Sequence, residues 1–106
     1  MFEFLRSNTG KVINVNDIDG ILGKIELIDI REPYEYNAGS IKGAKNIPMG
    51  ILLKEPERFM DKEHTYYLVC QSGGRSQAAV KALSKLGYQV VNVAGGCGSY
   101  AGSKKA

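Results

Sequence analysis

The chain has 106 residues, the usual length of one domain, and its 43% hydrophobic and 24% charged content is typical of a soluble globule. Its net charge of +3 comes from cations scattered among acids, which argues against nucleic-acid binding. No stretch approaches the ~18 consecutive apolar residues of a membrane span, and Met1–Arg6 is too short and charged for a signal peptide. We therefore expect a cytoplasmic protein; the sequence leaves its oligomeric state open.

The first half of the chain predicts short strands separated by helical turns. Residues 1–5 fit a short strand, a helical arm or a frayed start. The elements predicted after them are a strand Val12–Val15, a brief helix capped by Asn16 or Asp17 and ending at Leu22, a strand Ile25–Ile30, a helix Pro33–Asn37, an edge strand Ala44–Ile47, and helical turns Met49–Leu53 and Pro56–Met60.

The second half predicts two buried strands around one longer helix. The strand Tyr66–Cys70 has no polar alternation, as expected in a parallel sheet, and the helix Arg75–Leu86 carries apolar residues at helical spacing. A last strand, Tyr88–Val93, precedes a glycine turn, and residues 102–106 are expected to form a frayed tail. The fold predicted is one α/β domain over residues 1–106, with its core at about 12–101 and a parallel sheet of about five strands covered by helices on both faces.

The loop between the strand Tyr66–Cys70 and the helix after it is the candidate site. Its glycines permit positive φ and let backbone N–H groups turn inward, while the helix start and a guanidinium add positive charge. Such surroundings lower a thiol pKa from about 8.5 to between about 3.5 and 7.5. Cys70 is therefore the predicted nucleophile, and the predicted substrate-binding residues are Gln71, Ser72, Gly73, Gly74, Arg75 and Ser76. The alternative is that Cys70 is only a small buried hydrophobe.

Four motifs in order resemble a single-domain rhodanese, from about Val12 to Ala101. They are Leu27–Glu32, Gly39–Pro48, Cys70–Ser76 and Gly95–Gly96. The resemblance implies a sulfurtransferase that takes a sulfane sulfur from thiosulfate or a persulfide donor, carries it as a Cys70 persulfide, and passes it to cyanide or a thiol, including a protein thiol. This chemistry requires no cofactor. No metal is expected either, since one histidine and two cysteines supply too few ligands.

Two rival functions remain at this point. One is a cysteine-type phosphatase or arsenate reductase. Cysteine-type phosphatases have a loop one residue longer, whereas only four residues separate Cys70 from Arg75 here, which leaves little room for a phosphoryl group. A noncatalytic binding or regulatory module would recognise a partner through the same loop without turnover.

Three further positions leave alternatives. Asp29, Arg31 and Glu32 lie at or beyond the carboxyl end of the strand Ile25–Ile30, where they either orient the Cys70 loop or form a structural ion pair. The resemblance implies a structural role, in which this segment supports the active-site loop. His64 precedes the Tyr66–Cys70 strand, a strand length of about 17 Å from Cys70, so a surface position is expected rather than a general base. Cys97 either fills the core or faces the loop as a second thiol.

Compared with rhodanese sequences, this chain departs at three places. Ser40 stands where histidine is common, Cys97 where an aliphatic residue is usual, and Tyr100 where tryptophan is more frequent. The histidine is generally thought to be structural, so we expect the change at Ser40 to affect local stability rather than chemistry.

Overall fold

The computed structural model describes residues 11–102 and 104–105. The strands are β1 Lys11–Asn14, β2 Glu26–Asp29, β3 Ser40–Ile41, β4 Lys45–Asn46, β5 Thr65–Val69, β6 Gln89–Ala94 and β7 Lys104–Lys105. The α-helices are α1 Pro33–Asn37, α2 Met49–Lys54, α3 Pro56–Phe59, α4 Gly74–Lys85 and α5 Gly96–Ser99, and two 3-10 turns span Val15–Asp17 and Asp19–Ile21.

The main sheet has five parallel strands in the order β1-β6-β5-β2-β4. The central strand β5 pairs with β2, where Ile28 lies opposite Leu68, and with β6, where Asn92 lies opposite Leu68. This confirms the predicted α/β architecture. Because all five strands run in one direction, the segments after β2, β5 and β6 emerge at the same edge of the sheet.

Two hydrophobic clusters cover the two faces of this sheet. The first includes Ile28, Leu68 and Val90 of the sheet and residues of α2 and α4, among them Leu52, Val80 and Leu83. The second includes Leu27, Val69 and Val93 of the sheet together with Val15, Ile18, Ile41 and Tyr100. Neighbouring strand residues therefore enter opposite clusters, as the alternation of side chains in a strand requires. None of the helices within the described ranges is long and apolar enough to cross a membrane.

The buried stripe of α4 differs from the apolar stripe in the sequence. The predicted stripe is Ala78, Ala79, Ala82, Leu83 and Leu86, whereas the buried residues are Ser76, Ala79, Val80 and Leu83. The observed set also follows helical spacing, and it places a serine in the interior. That serine is buried because it lies against Cys70, a contact that hydrophobic periodicity does not reveal.

Two smaller predictions are wrong. The turn after β1 is 3-10 helix, and its cap is Asn14, whose side chain accepts from the Asn16 N–H at 2.9 Å. Part of the tail expected to fray is paired instead, since β7 runs antiparallel to β3. Residues 1–5, for which three conformations were left open, lie outside the described residues.

Candidate active site

Cys70 directly follows β5, at the point where the chain folds back over the end of that strand. Its sulfur accepts hydrogen bonds from the backbone N–H groups of Gly73 at 3.1 Å and Ser76 at 3.3 Å. The residue is only 1% exposed and belongs to the first hydrophobic cluster. The loop thus directs backbone donors inward around a buried sulfur.

Ser76 adds a hydroxyl to the same environment. Its Oγ lies 3.4 Å from Cys70 Sγ, 3.2 Å from the Gly73 carbonyl oxygen and 2.5 Å from Oδ1 of Asn92 on β6. Both Ser76 and Asn92 are buried. The serine therefore connects the sulfur to the sheet beneath the loop.

The pKa of the Cys70 thiol is set by two opposed effects. Burial raises this pKa, because a charged sulfur loses its hydration. Hydrogen bonds from the Ser76 hydroxyl and from the N–H groups of Ser76, Gly73 and Ser72 lower it by more, so the net pKa lies below the ordinary value. The site consequently favours the thiolate, which is the nucleophilic form.

The two loop glycines have different roles. Gly73 has φ +103°, and a Cβ there would lie 3.3 Å from the backbone nitrogen of Gly95. Gly74 is absent from the positive-φ residues, has open space around its Cβ position, and is the first residue of α4. Only Gly73 therefore uses the positive φ that glycine permits, because the helix has already begun at Gly74.

Gln71 and Ser72 are exposed, and Gln71 connects the loop to a buried ion pair. Oε1 of Gln71 accepts from Arg31 Nη1 at 2.9 Å, and Arg31 donates to the Asp29 carboxylate through Nε and through Nη2 at 2.8 Å. Asp29 and Arg31 are both buried. The pair thus fixes the corner after β2 and also contacts the Cys70 loop, so both of the roles left open by the sequence are present.

Ser40 and Glu32 complete this corner. The Ser40 hydroxyl donates to Asp29 Oδ2 at 2.6 Å, so the residue at the common histidine position supports the buried carboxylate. Glu32 precedes α1, and its backbone N–H donates to Oε1 of Glu35 at 3.0 Å. The backbone of Glu32 therefore helps to hold the carboxylate of Glu35.

Glu35 in turn engages Arg75. The two Nη groups of the guanidinium donate to the two carboxylate oxygens of Glu35 at 2.9 and 3.0 Å. This hydrogen bonding lowers the pKa of Glu35 to about 2. The guanidinium expected to add positive charge to the loop is thus paired with a carboxylate on α1. The hydrogen bonds to Glu35, with a further contribution from the charge of Cys70, raise the pKa of Arg75.

The turn Gly95–Gly98 clamps the backbone of the loop from the other side. The Cys97 N–H donates to the Cys70 carbonyl and the Gly98 N–H to the Gln71 carbonyl, each at 2.8 Å. A Cβ at Gly96 would lie 2.5 Å from both of these carbonyl oxygens, so only glycine fits there. The glycine turn is therefore a direct support of the Cys70 loop.

The side chain of Cys97 lies on the opposite face of the sheet from that of Cys70. Cys97 is 1% exposed, belongs to the second cluster, and its Sγ lies 3.9 Å from Asp29 Oδ2. The two cysteines of the chain are thiols, not a disulfide. The structure thus supports the core-filling interpretation of Cys97.

His64 lies far from this chemistry. Its side chain is 65% exposed, and Nδ1 is 3.4 Å from Asp61 Oδ2. It precedes β5, at the end of the strand opposite to Cys70. The predicted surface position of this histidine is confirmed.

Sequence reasoning missed three supports of the site. These are Glu35, Asn92 and the backbone of the turn Gly95–Gly98. A polar residue within the otherwise apolar strand Val90–Val93 was a signal for Asn92, because a buried amide requires a partner. Nothing in the local sequence indicated that Glu35 would meet a guanidinium 40 residues away.

Comparisons with known proteins agree with this geometry. The sequence pattern described as a rhodanese-like domain matches residues 14–103. The chain is 40% identical over 74 residues to the thiosulfate sulfurtransferase PspE of Escherichia coli (strain K12), covering 65% of this chain and 67% of PspE. It is 39% identical over 84 residues to YqhL of Bacillus subtilis (strain 168), covering 78% of this chain and 66% of YqhL. The chain therefore spans about two thirds of each of these relatives.

A solved structure shares the architecture. The crystal structure of a rhodanese-related protein from Thermoplasma volcanium is 34% identical in sequence and superposes with a TM-score of 0.80. The alignment covers 90% of this chain and 97% of that protein.

Proposed function

The chain belongs to the rhodanese-like domain family, and on that premise we propose that it is a sulfurtransferase in which Cys70 carries the sulfur. The proposal rests above all on one observation, the hydrogen bonds from the Gly73 and Ser76 N–H groups to the Cys70 sulfur. Inward-pointing amides stabilise negative charge on that atom both before the reaction and after it. The similarity to PspE supports thiosulfate as one donor.

In the first half-reaction, the Cys70 thiolate attacks the outer sulfur of thiosulfate. A sulfur–sulfur bond forms at Cys70 as the sulfur–sulfur bond of thiosulfate breaks, and sulfite leaves with the electron pair. A persulfide donor reacts in the same way and releases a thiolate. Since sulfur, charge and electrons balance, no external oxidant or reductant is involved.

In the second half-reaction, cyanide or a thiolate attacks the outer sulfur of the Cys70 persulfide and regenerates the Cys70 thiolate. The outer sulfur lies about 2 Å beyond Sγ. The residues that directly follow Cys70 in the loop, Gln71 and Ser72, are exposed. This geometry accommodates a small acceptor or a thiol presented by another protein.

The loop residues have distinct roles in this proposal. Gln71, Ser72, Gly73, Gly74 and Ser76 form the substrate-binding surface through their backbone N–H groups. Arg75 keeps α4 in place through Glu35 and contributes positive charge to an anionic donor at longer range.

Turnover with thiosulfate and cyanide tests the proposal. We expect initial rates to follow a ping-pong pattern, because sulfite leaves before cyanide reacts. Cys70→Ser should abolish turnover, whereas Cys97→Ala, which changes the other cysteine, should retain it. Turnover that survives in Cys70→Ser would refute the assignment of Cys70.

A further inference from the structure

Asn92 is a buried polar side chain in the middle of the sheet. It lies on β6 between Val91 and Val93 and opposite Leu68 of β5. It is 6% exposed, and an amide in such a place is unfavourable unless it forms hydrogen bonds. Its Oδ1 lies 2.5 Å from the Ser76 hydroxyl, which itself contacts the Cys70 sulfur. The amide is therefore linked to the reacting sulfur by two hydrogen bonds, through the Ser76 hydroxyl.

The Ser76 hydroxyl has one hydrogen to share among three acceptors. These are Asn92 Oδ1 at 2.5 Å, the Gly73 carbonyl oxygen at 3.2 Å and Cys70 Sγ at 3.4 Å. While Cys70 is a thiol, its S–H donates to Ser76 Oγ and the hydroxyl donates to Asn92. Once the sulfur is charged, it only accepts, and the hydroxyl stabilises it only by turning its hydrogen towards Sγ.

When the Ser76 hydroxyl has rotated its hydrogen towards Sγ, a lone pair of Ser76 Oγ faces the side chain of Asn92. A side-chain amide meets this change by rotating about its last torsion, which replaces the acceptor Oδ1 with the donor Nδ2. A carboxylate has hydrogen-bond acceptors only, and a hydrocarbon side chain has neither a donor nor an acceptor. Asparagine is thus suited to both charge states of the sulfur.

We propose that Asn92 is a positioning residue whose amide accepts from Ser76 when Cys70 is a thiol and donates to Ser76 when the sulfur is a thiolate or persulfide anion. The thiol proton goes to solvent, because an amide is not a base. As a statement about sulfur transfer this rests on the proposed function, but its effect on the thiolate can be measured without a sulfur donor.

The charged groups around the loop stay the same in the test. They are Arg75 on α4 with its partner Glu35 on α1, and the Arg31–Asp29 pair after β2, which reaches the loop through Gln71. Changes at Asn92 and Ser76 leave all four of these groups in place.

The experiment measures the pH dependence of Cys70 alkylation by iodoacetamide in the full chain, with peptide mass spectrometry separating Cys70 from Cys97. The variants are Asn92→Asp and Asn92→Leu, each alone and combined with Ser76→Ala. Gln89→Glu, at the exposed start of the same strand, is a matched amide-to-carboxylate control and should leave the midpoint unchanged. Circular dichroism establishes that each variant folds.

We expect Asn92→Asp to raise the alkylation midpoint by about one pH unit and Asn92→Leu to raise it by less. In the Ser76→Ala background, Asn92→Leu should have no further effect, and Asn92→Asp should have a smaller effect than in the unaltered chain. If Asn92→Leu does not fold, the shifts caused by Asn92→Asp with Ser76 and with Ser76→Ala are compared. The added carboxylate acts on the sulfur through space equally in both, so any difference between the two shifts comes from the hydroxyl. Equal shifts with and without the hydroxyl, or no shift at all, would overturn the proposal.

Discussion

At the scale of single residues, the central feature is a sulfur that is both buried and surrounded by donors. A cysteine with 1% exposure would ordinarily be an inert core residue. The N–H groups of Gly73 and Ser76 change this, because they stabilise charge where water is excluded. The same contacts explain why the pKa of the Cys70 thiol is lowered despite its burial.

This lowered pKa predicts the pH dependence of sulfur uptake. The rate at which Cys70 gains sulfur from thiosulfate in a single turnover should rise with pH as the thiolate forms and then become constant. We expect the midpoint to lie below the ordinary cysteine value of about 8.5. Rapid-quench mass measurements between about pH 5 and 9 give the profile, and a midpoint at or above about 8.5 would contradict this account of the loop.

At the scale of elements, the glycine turn Gly95–Gly98, which includes the start of α5, supports the loop through contacts that tolerate no side chain at Gly96. Gly96→Ala would place a Cβ 2.5 Å from the Cys70 and Gln71 carbonyl oxygens at a residue with φ +65°. We expect a loss of about 2 kcal/mol or more in the free energy of unfolding, together with slower sulfur uptake. Urea unfolding provides the measurement.

Gly50→Ala is the matched control for this change. Gly50 lies within α2, has open space around its Cβ position and is exposed. Because alanine favours a helix more than glycine does, stability should stay the same or rise by up to about 1 kcal/mol. If both substitutions had the same effect, close packing at Gly96 would not be the cause.

The link between α1 and α4 predicts a change in acid stability. Glu35 has a pKa of about 2 in the folded chain against an ordinary value of 4.5, so its contribution is present above about pH 4.5 and disappears as the pH falls towards 2. Glu35→Gln should lower the free energy of unfolding by about 1 kcal/mol at neutral pH, a modest effect because Arg75 is partly exposed. Near pH 2, where about half of Glu35 is protonated in the folded chain, most of this difference in stability should be lost.

Urea unfolding at neutral pH and at about pH 2 measures this difference. Glu57→Gln, on the exposed surface of α3, removes a glutamate at a different place and should show no such pH-dependent change. If the difference in the free energy of unfolding between Glu35→Gln and the unaltered chain were equal at both pH values, the ion pair would not be its origin.

Local sequence signals predict elements better than they predict the contacts between them. Pro33 and Gly39 bound α1, and its predicted range Pro33–Asn37 is confirmed. The strand predicted at Tyr66–Cys70 is observed one residue earlier, at Thr65–Val69. The polar residue in an apolar strand was a signal that Asn92 needs a partner, but its pairing with Ser76, like that of Arg75 with Glu35, was not predictable. These pairs depend on how α1 and β6 pack against the loop, and a hydrophobic pattern carries no information on polar pairing.

At the scale of the whole molecule, the sheet separates the two cysteines. The backbones of Cys70 and Cys97 are joined by a hydrogen bond, yet their side chains enter different hydrophobic clusters. We therefore expect that a mild oxidant such as diamide does not join them, because their side chains pack in clusters on opposite faces of the sheet. Intact mass measured under denaturing conditions should show no loss of about 2 Da, and such a loss together with a linked Cys70–Cys97 peptide would contradict this separation.

The parallel sheet also brings the supports of the site to one edge. The carboxyl ends of β2, β5 and β6 and the segments that follow them supply the Asp29–Arg31 pair, the Cys70 loop and the glycine turn. The amides that surround the sulfur are therefore positioned by contacts across the whole fold. Sulfur carriage by Cys70 is the chemistry that this arrangement best supports.

The most direct test is the mass of the protein after incubation with thiosulfate and removal of excess donor. We expect a gain of about 32 Da located on the Cys70 peptide, and its loss when cyanide is added. Cys97→Ala should show the same gain, and Cys70→Ser should show none. Absence of the gain in the unaltered chain, or its location on Cys97, would contradict the account.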